Sequence, residues 1–177
     1  MKKSKAILTI FVLFLIVYFL QANFFTWFNI GGIMPNLFVI LVLFIGLFAS
    51  QKLGIAFGIF IGLIIDTIVG KGIGFSSLFL ALIGLLGEYF DKNFSKDSKI
   101  TIILMGVIAT SFYEVGMYIV NIAKYGAQVE IGKFLFILLI ENIFNSLLII
   151  IFYPLMKKVG YYLEDVFKKK QLLTRYF

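Results

Sequence analysis

The sequence predicts an all-α integral membrane protein, a six-helix transmembrane bundle with both termini in the cytoplasm. Three observations carry this prediction. Of the 177 residues, 62% are hydrophobic and only 14% charged, too little charge to cover a water-soluble surface around so apolar an interior. The apolar residues fall into six runs, and a bilayer-crossing helix needs roughly 20 such residues. The basic residues bracket these runs instead of forming a face. The net charge of +7 therefore speaks of membrane orientation and not of nucleic acid.

The first run, Ala6–Phe25, follows Lys2, Lys3 and Lys5. No small-x-small cleavage site comes after Leu20, so it reads as an uncleaved helix and not a signal peptide. It ends in an interfacial aromatic cluster of Phe24, Phe25, Trp27 and Phe28. The second, third and fourth runs (Met34–Ala49, Leu53–Val69 and Gly74–Tyr89) are short for full spans, so their ends fall near the headgroups. The link Ser50-Gln51-Lys52 also permits a hairpin of the second and third runs that never fully crosses. Lys52 alone votes on this, for full crossing. The fifth and sixth runs are Ile100–Ala123 and Phe134–Met156. With the N-terminus inside, thirteen Lys and Arg residues lie on inner segments, against Lys71, Lys124 and Lys133 on outer loops. That is a strong positive-inside bias.

Residues 1–156 thus form the transmembrane domain, and 157–177 a basic amphipathic cytoplasmic tail. In the tail Val159, Leu163, Val166 and Phe167 recur at near-helical spacing among lysines. It reads as a helix on anionic lipid, with docking of a cytoplasmic partner as the alternative. No soluble domain fits, and no internal repeat is evident.

The chain has no Cys and no His. Disulfides, thiol or imidazole catalysis, His-ligated metals and Cys-held clusters are therefore excluded, and no cofactor or metal is expected. The glycine turn Gly70-Lys71-Gly72-Ile73-Gly74 follows no strand and does not end in GK[ST], so it makes a poor phosphate loop.

The most patterned stretch is Leu53–Ser76. Gly54, Gly58 and Gly62 recur every four residues, and the next steps land on Asp66 and Gly70. Residues four apart share a ridge, and glycine lets a neighbouring backbone approach closely. Packing within the bundle is the preferred reading, docking of another subunit the alternative. Asp66 either sits hydrated near the outer interface or faces protein. Glu88, beside Asp91 and Lys92, reads as a solvated helix end.

Glu114 lies inside the fifth run, flanked by Ser111, Tyr113 and Tyr118. Glu141, Asn142 and Asn145 lie inside the sixth, Glu141 and Asn145 one turn apart on a single face. At about 1.5 Å per residue, Glu114 sits ~21 Å past Ile100 and Glu141 ~10 Å past Phe134. Both then fall in the outer half of the bilayer, as does Asp66. An acid in a span costs ~2.5–3.5 kcal/mol on insertion scales. Glu114 and Glu141 are therefore expected to face the bundle interior, lining a polar pocket or forming a structural hydrogen-bond network.

Pro35-Asn36-Leu37, the apolar run after it, and the ridge Gly54, Gly58, Gly62, Asp66 with its glycine turn together resemble the rod shape-determining MreD family. Pro35, Gly58, Gly62 and Asp66 are the positions that meet the family's pattern. Motifs carry the resemblance over Ile33–Glu88, and hydropathy alone beyond. It implies a non-enzymatic, multi-pass subunit of the cell-elongation (rod) complex in the bacterial inner membrane. Its implied partners are an MreC-like protein, the elongation peptidoglycan synthases and, through them, MreB filaments. No catalytic residue is implied. The family's fold is similar to that of the S component of energy-coupling-factor transporters, so a small-molecule-binding subunit of a vitamin transporter is the alternative. The first run lacks the Ala-x3-Ala docking motif of such components, which argues against it. An intramembrane enzyme would need a paired Glu-Glu or multiple-Asp motif that the chain does not contain.

Overall fold

The computed structural model describes residues 2–69 and 74–168. The glycine turn at 70–73, with Lys71, and the end of the tail from Lys169 lie outside the described residues. Six helices follow one another: α1 (Lys2–Trp27, with a π-helical turn at Leu20–Phe24), α2 (Leu37–Phe48), α3 (Gln51–Val69), α4 (Phe75–Asn93), α5 (Lys99–Tyr125) and α6 (Ile131–Phe167). Four of them, α1, α3, α5 and α6, are long and apolar enough to cross a membrane. Their outward faces carry exposed Leu, Ile and Phe, for example Leu8, Phe19, Leu135 and Ile151, a surface suited to lipid and not to water.

The second helix departs from its expected length. It has 12 residues, about 18 Å at 1.5 Å each, against a hydrocarbon core of ~30 Å. Pro35 and Asn36 set its start. The Asn36 side chain accepts the Val39 N–H at 3.4 Å, which makes Asn36 an N-cap, and Pro35 disfavours helical backbone just before it. Every residue of α2 is buried, and it touches all five other helices. It is the hub of the bundle. The chain enters it through a tight hairpin in which Gly31 and Gly32 have φ of +61° and +84°. These values fit the type I′ turn between the mutually bonded Ile30 and Ile33.

Close backbone packing joins α2, α3 and α4. A Cβ added at Gly58 would sit 2.5 Å from the Leu80 carbonyl oxygen of α4, and one at Gly54 2.8 Å from that of Gly84. Gly62 meets the backbone of Ser77, and Gly46 of α2 meets Gly84 and Gly87. The glycine ridge of α3 thus lies against α4 inside the chain.

Two acids close this α3–α4 hairpin reciprocally. Asp66, near the end of α3, accepts the N–H groups of Gly74 (2.8 Å) and Ser76 (3.2 Å) at the start of α4. Glu88, near the end of α4, accepts the Gln51 N–H at the start of α3 at 2.5 Å. Each fills donors that a helix start leaves unpaired and places negative charge at the positive end of the dipole. Glu88 is therefore a cap and not merely a solvated helix end. Lys92, one turn on, pairs with the same carboxylate at 2.8 Å. Asp66→Ala should cost about 1–2 kcal/mol, the usual worth of a lost N-cap. Thermal unfolding in detergent would measure it, and an unchanged midpoint would remove Asp66 from this role.

The last helix runs 37 residues without a break, about 55 Å. It continues through Pro154 and exceeds a ~30 Å hydrocarbon core by roughly 25 Å. Its final turns fold onto the α4–α5 loop. Leu163 is fully buried, and the Phe48 ring packs on Gly160. Lys96 bridges Asp91 (2.5 Å) and Glu164 (2.6 Å), while Lys168 holds Asp91 (2.6 Å) and the Leu47 carbonyl at the end of α2 (2.6 Å). Tyr153 donates to the Asp97 carbonyl at 2.6 Å, and Tyr161 to the Asp97 carboxylate.

Burial raises the Asp91 carboxyl, but its bonds to Lys168 and Lys96 outweigh this and hold it below the usual aspartate value. A depressed folded-state value means that the contribution is complete above the unfolded aspartate range and is lost as pH falls below it. The melting midpoint should therefore drop on acidification. Asp91→Asn should start lower at neutral pH and lose less on acidification; equal losses would rule Asp91 out as the acid-sensitive group.

Candidate functional site

Thr110 and Ser111, then Glu114 and Tyr118 one and two turns on, fall along one side of α5. A matching stripe of α6 carries Asn145, Asn142, Glu141 and Phe134. The pairs step in opposite directions along the two chains, as antiparallel helices require. Asn145 Nδ2 donates to Thr110 Oγ1 at 2.9 Å, and Asn142 Nδ2 to Ser111 Oγ at 3.2 Å. The Glu114 and Glu141 carboxyls meet within hydrogen-bonding reach. At the far end Tyr118 stacks on Phe134, ring centroids 4.1 Å apart. This is a continuous polar seam through the bundle.

The start of α2 plugs into it. The Asn36 N–H donates to Asn145 Oδ1 at 2.9 Å, and the Asn36 side chain lies against the Glu114 carboxyl. Gln21, in the π turn of α1, donates to the Pro35 carbonyl at 2.8 Å and accepts the Leu37 N–H at 3.0 Å. Helices α1, α2, α5 and α6 therefore meet at one polar node. Asn145 (1% exposed) and Glu141 (5% exposed) lie at its centre.

Of the residues singled out in the sequence, Glu114, Glu141, Asn142 and Asn145 share the seam. Pro35 lies beside it as an acceptor, and Asp66 stands apart as the cap of α4. Gly54, Gly58 and Gly62 lie on the α3–α4 contact. Sequence reasoning missed Gln21, Asn36 and Thr110 as members of the node. Asn36 carried a readable signal, an Asn after Pro at the head of an apolar run. Gln21 carried none, since its aim depends on the π turn.

The geometry gives this node a joining role. Its amides and hydroxyls tie helices to one another, and among the described residues no three His, Cys, Asp or Glu side chains gather as a metal site. The fold and node together define a multi-pass helical membrane protein in which buried polar groups hold helices in register. The chain belongs to the MreD family: the family model described as rod shape-determining protein MreD matches residues 1–159. No curated protein and no solved structure matches it.

Proposed function

We propose that this chain is a non-enzymatic membrane subunit of the machinery that elongates rod-shaped bacterial cells. It would act by binding an MreC-like protein and the elongation peptidoglycan synthases, and through them would be linked to MreB filaments. The single observation that carries this is the family match, which runs from the first residue into the last helix. The internal use of the polar side chains supports it: a binding subunit needs a stable, register-locked bundle more than a reactive centre.

In this reading the lysine-rich end of the bundle faces the cytoplasm, the six-helix bundle crosses the inner membrane with the short α2 enclosed in it, and the polar node lies in the outer half. Because the chain has no native Cys, the topology is directly testable. Single cysteines introduced at Lys3 and at Lys170 should both resist a membrane-impermeant thiol reagent in intact cells. Labelling of either one alone would overturn the arrangement. Partner binding is tested by cross-linking in native membranes followed by purification of the tagged chain. Recovery of the MreC-like protein supports the proposal, and its absence under conditions that recover other elongation pairs contradicts it.

A further inference from the structure

Among the described residues, three buried side-chain oxygens find no hydrogen-bond partner: Glu141 Oε1, Asn142 Oδ1 and Tyr118 Oη. All three belong to the α5–α6 seam. Unpaired buried polar atoms are few in native proteins, and each calls for a physical explanation. Amide and ionised carboxylate oxygens only accept. The Glu141 and Asn142 oxygens therefore lack a donor at the place where two carboxyls meet, whereas the Tyr118 hydroxyl, which can itself donate, lies further along the seam beside Phe134. The orphaned atoms are sealed from solvent, so a partner helix or an organic ligand cannot reach them without separating the helices. A water molecule also needs room of its own. A proton needs none.

We propose that Glu114 and Glu141 form a proton-binding site that locks α5 against α6. Two ionised carboxylates cannot bond each other, because both are acceptors; with one proton between them, one donates and the other accepts. Losing that proton sets two negative charges face to face in a poorly screened interior.

Among the described residues no lysine or arginine acts on either carboxyl to offset that second charge. Lys133 is held by Glu130 at 2.5 Å, and Lys124 lies over the Phe75 ring, 4.6 Å from its centroid. The other titratable groups along the seam are Tyr113 and Tyr118 from α5; Asp66 of α3 is turned to the start of α4, where it accepts the Gly74 and Ser76 N–H groups. From α1 and α2 come only Gln21 and Asn36, both uncharged. Release therefore sends the proton to water and separates the helices at the seam. The Asn36–Asn145 bond is strained with them, so the start of α2 loosens too. Stability is present while the proton is bound and is lost as pH rises.

The test uses the full chain purified in detergent or nanodiscs. Infrared spectra of the wild type at neutral pH should show a protonated carboxyl C=O band that Glu141→Gln removes. The melting midpoint of the wild type should fall as pH rises. Glu114→Gln and Glu141→Gln, in which a neutral amide replaces the carboxyl, should flatten that dependence. Parallel profiles for wild type and variants would overturn the proposal. So would sodium restoring the wild-type midpoint at fixed alkaline pH, since the ligand would then be a metal cation. If the variants fail to fold, the wild-type spectrum decides alone: no protonated carboxyl band at neutral pH contradicts the site. None of these readouts depends on a role in elongation.

Discussion

Replacing Gly58 with leucine should all but abolish the folded protein. The added Cβ alone would come within 2.5 Å of the Leu80 carbonyl oxygen, and that oxygen is backbone, so it can retreat only if α4 moves as a whole. Overpacking ordinarily costs about 1–3 kcal/mol and more where neighbours cannot shift, and here the effect belongs at or beyond the top of that range. Gly84 and Gly87 of α4 also meet Gly46 of α2, so moving α4 also unseats α2. Membrane yield and melting midpoint measure the loss. An unchanged yield accompanied by loss of a partner in a pull-down would instead mean that the ridge is an open interface.

Asn145→Leu should be the next most damaging change. Interhelical side-chain hydrogen bonds in membranes average only ~0.6 kcal/mol, which alone would make the loss small. Asn145, however, also holds the backbone N–H of Asn36, a part-buried group at the head of α2 for which no second acceptor stands among the described residues. Stranding such a donor costs about 1–3 kcal/mol, and this term dominates. The expected total is roughly 2 kcal/mol on the same principle. Amide exchange at Asn36 and Leu37 should accelerate markedly in the variant while the α3–α4 contact keeps its protection. Uniform acceleration through the bundle would show that Asn145 is not a local hook.

The helix count was legible because apolar runs of membrane length separated by charged or glycine-rich links leave few alternatives. Helix ends were less so. Hydropathy runs unbroken from Met34 to Ala49, whereas the helix obeys the cap at Asn36 and starts at Leu37. The apolar run also hid the fact that α2 is enclosed on all sides, since a lipid-facing helix and a core helix read alike. The last apolar run ends at Met156, whereas α6 continues through Pro154 to Phe167, held by Leu163 packing and by the ion pairs of Lys96 and Lys168.

Depth arithmetic put Glu114 and Glu141 in the same half of the bundle, because helix rise is nearly constant and the loop between α5 and α6 is short. Partners such as Thr110 and Gln21 were not legible. They depend on how two helices are rotated about their axes, and one π turn in α1 changes that rotation. Asp66 and Glu88 were visible as acids near helix ends. Their reciprocal capping required knowing that α3 and α4 lie side by side.

The most direct measurement of a role in elongation is the shape of native cells as this chain is depleted. If it is a subunit of the elongation machinery, depleted cells should widen and round before growth stops, and re-expression of the wild-type chain should restore rods. Cells that stay rod-shaped through depletion, or that become dependent on an added vitamin while keeping their shape, would contradict it.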